Sequence, residues 1–170
     1  QDLKSNSRNP NSSQNNVDFE QVIQEINERN KRKRNLILYG LPEQDQQLSS
    51  VMRIEKDESQ VREIISSMDH ALVIDNFKPI RLGRYDEGKV RPVRITLQHD
   101  NDVFVAMKNA KSLKTGRYKH IQISFDRTLK QRQYFKEVKA ELDAKNASGT
   151  EKYKIRHVDG IPKIVPINLN

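Results

Sequence analysis

The arginine and lysine residues of this sequence are the side chains whose types and spacing indicate a binding function. Four consecutive basic residues, Lys31 to Arg34, stand directly before an apolar run that begins at Leu36. Ammonium and guanidinium groups pair with phosphates, and a guanidinium also stacks on nucleobases. Such a high density of positive charge beside a β-strand is tolerated only if the charged residues lie on an exposed surface or face a polyanion. The run therefore predicts a nucleic-acid contact, and a nuclear localisation signal is compatible with that role.

Further basic residues stand at the ends of predicted strands or on the expected open face of a sheet. Any one of them alone is better explained as a solvated surface charge, but Arg81, Arg84 and Arg94 together favour binding. Tyr39 is either a base-stacking residue or an ordinary half-buried strand tyrosine. The candidate nucleic-acid-binding residues are Lys31, Arg32, Lys33, Arg34, Tyr39, Arg81, Arg84, Arg91, Arg94, Arg117, Lys119, Lys154 and Arg156.

Catalytic and metal-binding patterns are missing from the sequence. It contains no cysteine, which excludes disulfides, thiol catalysis and zinc fingers. The four histidines are scattered without metal-ligand spacing, and there is no phosphate loop, nucleophile elbow or paired-carboxylate motif. We therefore expect no enzyme activity, no metal and no cofactor.

The net charge of +8 is unevenly distributed. Residues 35–77 hold three basic and eight acidic residues, whereas residues 78–170 hold twenty-one basic and ten acidic ones. This asymmetry predicts a polyanionic partner: nucleic acid first, with an anionic membrane surface or an acidic protein as alternatives. No stretch has the length of a membrane span, and no apolar leader follows Gln1. We expect a cytoplasmic protein, with a nuclear location as the alternative, that is not secreted.

Hydrophobic periodicity predicts the elements that must position these side chains. Residues 1–16 are rich in Ser, Asn and Gln and are expected to be a disordered lead-in. Residues 17–34 are expected to form a helix and the basic junction, with Asp18 and Gln21 as a capping box. The helix is either the end of a coiled coil or a helix that packs on its own domain. Its apolar stripe consists of Phe19, Val22, Ile23 and Ile26.

Residues 35–127 are predicted to form one α+β domain of the ferredoxin-like, RRM-type βαββαβ class. Two helices would cover one face of a four-stranded antiparallel sheet and leave the other face open. The first of these helices is expected to begin at Asp57, which forms a capping-box pattern with Gln60. The second strand is placed within residues 72–84, and the basic loop before the fourth strand either contacts a nucleic-acid backbone or is a plain surface loop. The second helix is expected to bury the side chains of Phe104, Met107 and Ala110 against the sheet.

Residues 128–170 are predicted to form a small C-terminal domain, a helix followed by a β-hairpin. Thr128 and Gln131 form a capping-box pattern at the helix start. Asp159-Gly160 is a strong hairpin-turn dipeptide, and Pro162 restricts the returning strand to a sheet edge. The hairpin would project Lys154 and Arg156 from one face.

The first and third predicted strands lack the aromatic residues on which RNA-recognition domains stack bases. Ile37 stands at the first-strand position, and Pro92 and Arg94 stand at the third-strand positions. Arginine therefore replaces the aromatic platform, which predicts binding that is mainly electrostatic and weakly sequence-specific.

Several short strings occur in a recognisable order along the chain: Lys33–Glu43, Ile80–Arg84, Arg91–Leu97, Lys108–Lys111 and Ile121–Thr128. Together with the closing basic hairpin they cover about residues 19–167. In order and spacing they resemble the RNA-recognition-type and C-terminal domains of LINE-type (non-LTR) retrotransposon first-open-reading-frame proteins. The baculovirus few-polyhedra protein is similar in layout.

The resemblance implies a trimerising coiled coil, an RNA-recognition-type domain and a small C-terminal domain. Together these would bind single-stranded RNA, or DNA as the alternative, coat the element's RNA and act as a nucleic-acid chaperone. It also implies an RNA contact at Arg132. The trimer is an expectation for the parent protein, which would self-associate through the N-terminal helix. The few-polyhedra likeness implies the alternative, a structural or adaptor protein whose basic face binds an acidic partner or a membrane.

Overall fold

The structure is a computed structural model that describes residues 11–68, 77–149 and 151–167, with side chains described from Asp18 onward. The chain divides into two compact units, Asn27–Asp126 and a second made of Gln1–Ile26 with Arg127–Asn170. Helices and antiparallel strands are both present, so the predicted α+β class is confirmed. The elements in chain order are α1 (Asn11–Arg32), β1 (Asn35–Tyr39), α2 (Ser50–Met68), β2 (Ile80–Arg81), β3 (Val93–Thr96), α3 (Asp100–Asn109), a 3₁₀ helix (Ala110–Thr115), β4 (Gln122–Phe125), α4 (Leu129–Ser148), β5 (Tyr153–Val158) and β6 (Ile161–Pro166).

The unit Asn27–Asp126 is built on a four-stranded sheet with the order β2-β3-β1-β4 and antiparallel neighbours. Leu36 of β1 lies opposite Ile95 and Phe125, so these apolar side chains point to the same face. Helices α2 and α3 pack on that face and exclude water from it. The fully buried side chains of this core are Leu36, Leu38, Val61, Ile64, Ile65, Val93, Ile95 and Val103.

Helix α2 begins at Ser50, seven residues before the predicted start at Asp57, so that prediction was wrong. The Ser49 hydroxyl accepts a hydrogen bond from the Met52 amide at 3.2 Å and caps the helix instead. Asp57 lies inside the helix and is buried. Its carboxylate and the Gln60 side chain both accept hydrogen bonds from the Gln44 amide, at 2.9 and 2.8 Å. The capping-box pattern therefore marks a tertiary contact rather than a helix start.

Two further expectations for this unit differ from the structure. The Phe104 side chain is 62% exposed, whereas the neighbouring Val103 is buried, because α3 is rotated by about one position from the predicted face. Strand β2 consists of Ile80–Arg81 alone. The part of the predicted second strand within residues 72–76 lies outside the described residues.

Helix α1 begins at Asn11, so residues 11–16 are helical rather than a disordered lead-in, and residues 1–10 lie outside the described part. Asp18 is inside this helix and does not cap it. The predicted apolar stripe is largely exposed: Phe19 by 65%, Val22 by 54% and Ile26 by 52%. These side chains leave an apolar helix face without a covering partner in the described chain.

The C-terminal helix and hairpin form as predicted. The Thr128 hydroxyl accepts a hydrogen bond from the Gln131 amide, and the Gln131 side chain accepts one from the Thr128 amide, which completes the capping box. Asp159 and Gly160 both have positive φ, 52° and 74°, as a two-residue hairpin turn requires. One face of the hairpin packs on α4, where Val138 is the buried residue.

Candidate nucleic-acid interface

The sheet of the unit Asn27–Asp126 has a second face, turned away from α2 and α3, which we call the open face. Side chains alternate along a strand, so residues next to the core positions point to this side. Residues that are paired across neighbouring strands point to the same face of the sheet. The open face consists of Asn35, Ile37, Tyr39, Ile80, Arg94, Thr96, Gln122 and Ser124. It is not open throughout, contrary to the prediction, because Asn35 and Ile37 are buried, with 6% and 5% of their surface exposed.

Arg94 lies at the centre of the open face. It is opposite Ile37 of β1 on one side and Ile80 of β2 on the other. Its guanidinium has no carboxylate partner among the residues that the structure describes. Tyr39, 43% exposed, lies at the end of β1 opposite Gln122. The structure therefore brings two of the predicted residues, Arg94 and Tyr39, to one surface and leaves the charge of Arg94 available.

A row of polar side chains crosses the open face beside Arg94 and ends at helix α1. The Thr96 hydroxyl donates to the Asn35 side-chain oxygen at 2.8 Å, and the Asn35 amide donates to Asp126 at 2.9 Å. Arg32 donates to the other oxygen of Asp126 at 3.2 Å. Arg32 also donates to Glu28 within α1. Arg32 therefore anchors the end of the helix to the sheet, which is a structural role.

The other members of the basic run have weaker partners. The Lys31 ammonium lies 3.1 Å from the Glu28 carboxylate, and the Lys33 ammonium lies 2.9 Å from the Asp100 carboxylate. The two lysine side chains are 72% and 52% exposed, so solvent screens these pairs. Arg34 donates to the Gln98 carbonyl at 3.3 Å and has no carboxylate partner in the described chain. Their charges remain accessible to phosphates.

Arg81 is held inside the protein, and its side chain is only 9% exposed. Two of its nitrogens donate to the Asp57 carboxylate at 2.9 and 2.6 Å. Its remaining donors reach the carbonyl oxygens of Leu41, Pro42 and Arg91. The strand register places it on the helix-covered face, opposite Val93. Arg81 therefore ties α2 to β2 and is not part of the open face.

Arg91 is held by Glu43 in a similar way. Its guanidinium donates to the two Glu43 oxygens at 3.0 and 2.9 Å, and its backbone amide donates to the same carboxylate at 2.9 Å. The hydrogen bonds from Arg91 hold the pKa of Glu43 below its ordinary value of 4.5, against the opposing effect of burial. Asp57, Arg81, Glu43 and Arg91 are together called the charge network below.

Two loops at the end of the sheet where β1 finishes carry the remaining predicted residues of this unit, and the loop before β4 contacts α2 rather than the open face. Arg84 is exposed in the loop between β2 and β3 and has no ion-pair partner in the described residues. Arg117, with a side chain 81% exposed, lies 4.0 Å from Glu63. Lys119 is exposed in the same loop before β4. Tyr118 between them donates to Glu63 at 3.0 Å and fixes that loop.

The C-terminal unit has its own basic surface on the hairpin face turned away from α4. Lys154 and Arg156 both project from β5 on that side, as predicted. Arg156 lies directly opposite Lys163 of β6, a like-charge pair that disfavours the strand pairing in the absence of an anion. A depression of about 530 Å³ lies here, lined in part by Lys154 and Arg156. Lys163 was missed, although the Asp159-Gly160 turn sets the register that pairs it with Arg156.

Arg132 of α4 is exposed and lies away from any described ion-pair partner. Arg127, by contrast, stacks its guanidinium on the Phe135 ring at 4.8 Å, and the His157 ring lies on Phe135 nearly parallel at 6.2 Å. Burial and the nearby Arg127 charge lower the pKa of His157. This stack fixes the hairpin on the helix and does not involve Arg132.

No protein-family model matches the chain, and no curated protein is significantly similar to it. Among the described residues, no group of three His, Asp or Glu side chains is arranged to hold a metal ion. None of the helices in that part of the chain has the length and apolar character needed to cross a bilayer. The function is therefore inferred from the basic surfaces described above.

Proposed function

We propose that this chain is a non-catalytic single-stranded nucleic-acid-binding protein that binds RNA through the open face of an RRM-type domain. Arg94 carries the proposal. It lies at the centre of a four-stranded sheet, on the face away from the helices, without a carboxylate partner in the described chain. A guanidinium in that place can pair with a phosphate or stack on a base, so it replaces the missing aromatic platform.

The topology supports the RRM-type assignment. Strand and helix alternate in the order β1, α2, β2, β3, α3, β4, and the spatial order β2-β3-β1-β4 places the first and third strands in the middle. RNA-recognition domains of the ferredoxin-like class display their binding residues on those two central strands. In this chain Arg94 holds such a position on the third strand and is partly exposed, whereas Ile37 on the first strand is buried and only 5% exposed.

The basic residues around the open face support a path for the phosphate backbone. Arg84 on the loop after β2, Arg34 before β1 and Lys119 before β4 are exposed and free of carboxylate partners in the described chain. Such a distribution of charge favours sequence-tolerant binding, because phosphate contacts carry no base information. The C-terminal unit has a separate basic surface that could also bind phosphates, formed by Lys154, Arg156 and Lys163.

The resemblance to LINE-type first-open-reading-frame proteins supports a proposed role in a retrotransposon ribonucleoprotein, with strand annealing as the proposed chaperone function. The exposed apolar stripe of α1 supports self-association in the parent protein, because such a stripe is stable only when it is covered. Oligomerisation would turn weak individual sites into tight binding of a long RNA.

The test is fluorescence anisotropy with a labelled 20-nucleotide single-stranded RNA, titrated at several salt concentrations. The double substitution Arg84→Ala/Arg94→Ala is expected to weaken binding and to reduce the salt slope by about 0.7 for each lost phosphate contact. The matched control is Lys56→Ala/Arg62→Ala, which removes the same charge from α2 on the other side of the sheet. The affinity for a DNA oligonucleotide of the same sequence is measured as well, to compare DNA with RNA.

Equal losses in the two double variants would mean that net charge alone attracts the RNA and would contradict an open-face site. Absence of binding at low salt would reject the proposal and favour the adaptor alternative, in which the basic surface meets an acidic protein or a membrane.

A further inference from the structure

A cavity of about 400 Å³ lies at the β2 edge of the sheet, between the first turns of α2 and the chain that leads into β2. We call it the edge cavity. Its floor is the charge network, and its described walls include Ser50, Arg53, Ile54, Lys78, Pro79 and Ile80. A volume of this size is in the range of small-molecule sites, which are about 300–1,000 Å³.

The charges in the edge cavity leave a positive excess. The two arginines and two carboxylates of the charge network balance one another. Arg81 pairs with Asp57 and, at 3.6 Å, with Glu43, and Arg91 also pairs with Glu43. Arg53 donates to the carbonyl oxygens of Leu48 and Gln46, at 2.6 and 3.3 Å, and those bonds hold its guanidinium in place without neutralising it.

Lys78 is exposed at the cavity wall and has no carboxylate partner within the described residues. Two cations, one of them fixed, therefore face a partly enclosed space, which favours an anionic ligand.

The remaining walls are apolar. Ile54 of α2 and the consecutive Pro79 and Ile80 present aliphatic side chains to the same space. Inorganic phosphate alone would leave that surface in contact with water, whereas a ligand with a flat apolar part beside its negative charge would cover it. A nucleotide has both parts: a base that packs between aliphatic walls and a phosphate that pairs with Arg53 and Lys78.

The position of Ile80 connects this cavity to the open face. Ile80 lies opposite Arg94 in the strand pairing and also lines the cavity. If a bound nucleic-acid strand had one phosphate at Arg94, its next nucleotide would therefore lie at the mouth of the edge cavity. We propose that the edge cavity binds a nucleotide, either free or as one unit of a bound strand; the second of these rests on the proposed function.

The first arm of the test uses free ligands and the whole chain. Amide chemical shifts are recorded in an NMR titration with adenosine monophosphate, adenosine and inorganic phosphate. The nucleotide is expected to shift the amide signals of Arg53, Ile54, Lys78 and Ile80. Adenosine alone and inorganic phosphate alone are each expected to bind at least about tenfold more weakly than the nucleotide. Phosphate that binds as well as the nucleotide, or shifts that are absent or scattered over the surface, would overturn the assignment.

The second arm uses charge reversal. Lys78→Glu is expected to weaken nucleotide binding about tenfold or more, because it places a carboxylate at the phosphate position. Lys56→Glu makes the same charge change on the exposed side of α2 and is expected to leave the affinity within about twofold. Lys78 is exposed, so the variant should keep the native amide spectrum, and Lys78→Gln serves as the milder variant. Equal effects of Lys78→Glu and Lys56→Glu would overturn the site.

The third arm separates this inference from the function on which part of it rests. If the 20-nucleotide RNA binds and Lys78→Glu weakens it no more than Lys56→Glu does, the cavity does not hold a unit of the strand, while the open-face function stands. If adenosine monophosphate binds in the cavity and the RNA does not bind at all, the open-face function fails and the nucleotide site stands.

Discussion

Individual arginines in this chain differ in what their guanidinium groups contact. Arg81 and Arg94 are thirteen positions apart in neighbouring strands, and nothing in their local sequence distinguishes them. Arg81 points to the helix-covered face and binds Asp57, whereas Arg94 points to the open face and binds no described carboxylate. The partner of Arg81 comes from a helix that the sequence pattern placed seven residues too late. The role of each arginine therefore depends on a tertiary contact.

Substitution separates these two roles. Arg81→Ala leaves the buried Asp57 carboxylate without its partner and is expected to lower the free energy of unfolding by about 3–5 kcal/mol. Arg94→Ala is expected to change it by no more than about 0.5 kcal/mol, because no described ion pair is broken. Urea unfolding followed by circular dichroism measures both. An Arg81→Ala variant as stable as the wild type would contradict the structural role of Arg81.

Glu43 makes the stability of the unit Asn27–Asp126 depend on acid pH. Hydrogen bonds from Arg91 lower its pKa below 4.5, so the unfolded chain takes up a proton at a higher pH than the folded one does. The stabilisation is complete above about pH 4.5 and is lost as the pH falls through the lower folded pKa. Thermal unfolding between pH 7 and pH 3 should show this loss.

Glu43→Gln is the control for that pH dependence. It cannot titrate, so its melting temperature should be lower at neutral pH and should fall less steeply below pH 4.5 than that of the wild type. Identical slopes for the two proteins would show that other carboxylates cause the acid transition.

At the scale of helices and strands, two of the local sequence signals correspond to the local contacts that they imply, and two do not. The Thr128–Gln131 pattern is a true capping box, and Asp159-Gly160 is a true hairpin turn. The Asp57–Gln60 pattern has the same spacing, but its side chains are satisfied by Gln44 and Arg81, which are distant in sequence. Asp18, the start of the fourth pattern, lies inside α1. The order of elements and the strand position of Arg94 were therefore predictable, whereas the burial of Ile37, the charge network and the edge cavity were not.

The turn after β1 depends on a residue without a side chain. Gly40 has φ of 87°, and a Cβ atom at this position would lie 2.5 Å from the His120 carbonyl oxygen. Gly40→Ala therefore combines an unfavourable backbone conformation with a clash against backbone. Gly83 has nearly the same φ, 88°, with open space around it.

Comparison of the two alanine variants isolates the clash. Gly83→Ala is expected to cost about 1 kcal/mol of unfolding free energy from conformation alone. Gly40→Ala is expected to cost about 2 kcal/mol or more, since β1 and the loop before β4 must also move apart. Urea unfolding gives both values. Equal costs would mean that the loop at His120 relaxes without loss.

At the scale of the whole molecule, the exposed stripe of α1 predicts self-association. Substitution of Val22 and Ile26 by glutamine removes apolar surface from the stripe and retains helix-forming side chains. Light scattering is expected to show a concentration-dependent oligomer for the wild type and a monomer for this double variant. The control, Gln21→Ala/Gln24→Ala, alters the opposite side of the helix and should keep the oligomer. A wild-type chain that is monomeric at all concentrations would contradict the prediction.

The bonds from Thr96 through Asn35 and Asp126 to Arg32 have a mechanical consequence. They join two strands, and the residue that follows a third, to the end of a helix, so the helix end and the sheet should turn together. A pull applied at the end of the helix would reach β1 and β3 as a torque, because the linkage is made of short directional bonds. If the helices of several copies meet, the angle between their sheets is then set at this linkage. The curvature of a long RNA bound across those sheets would follow from that angle.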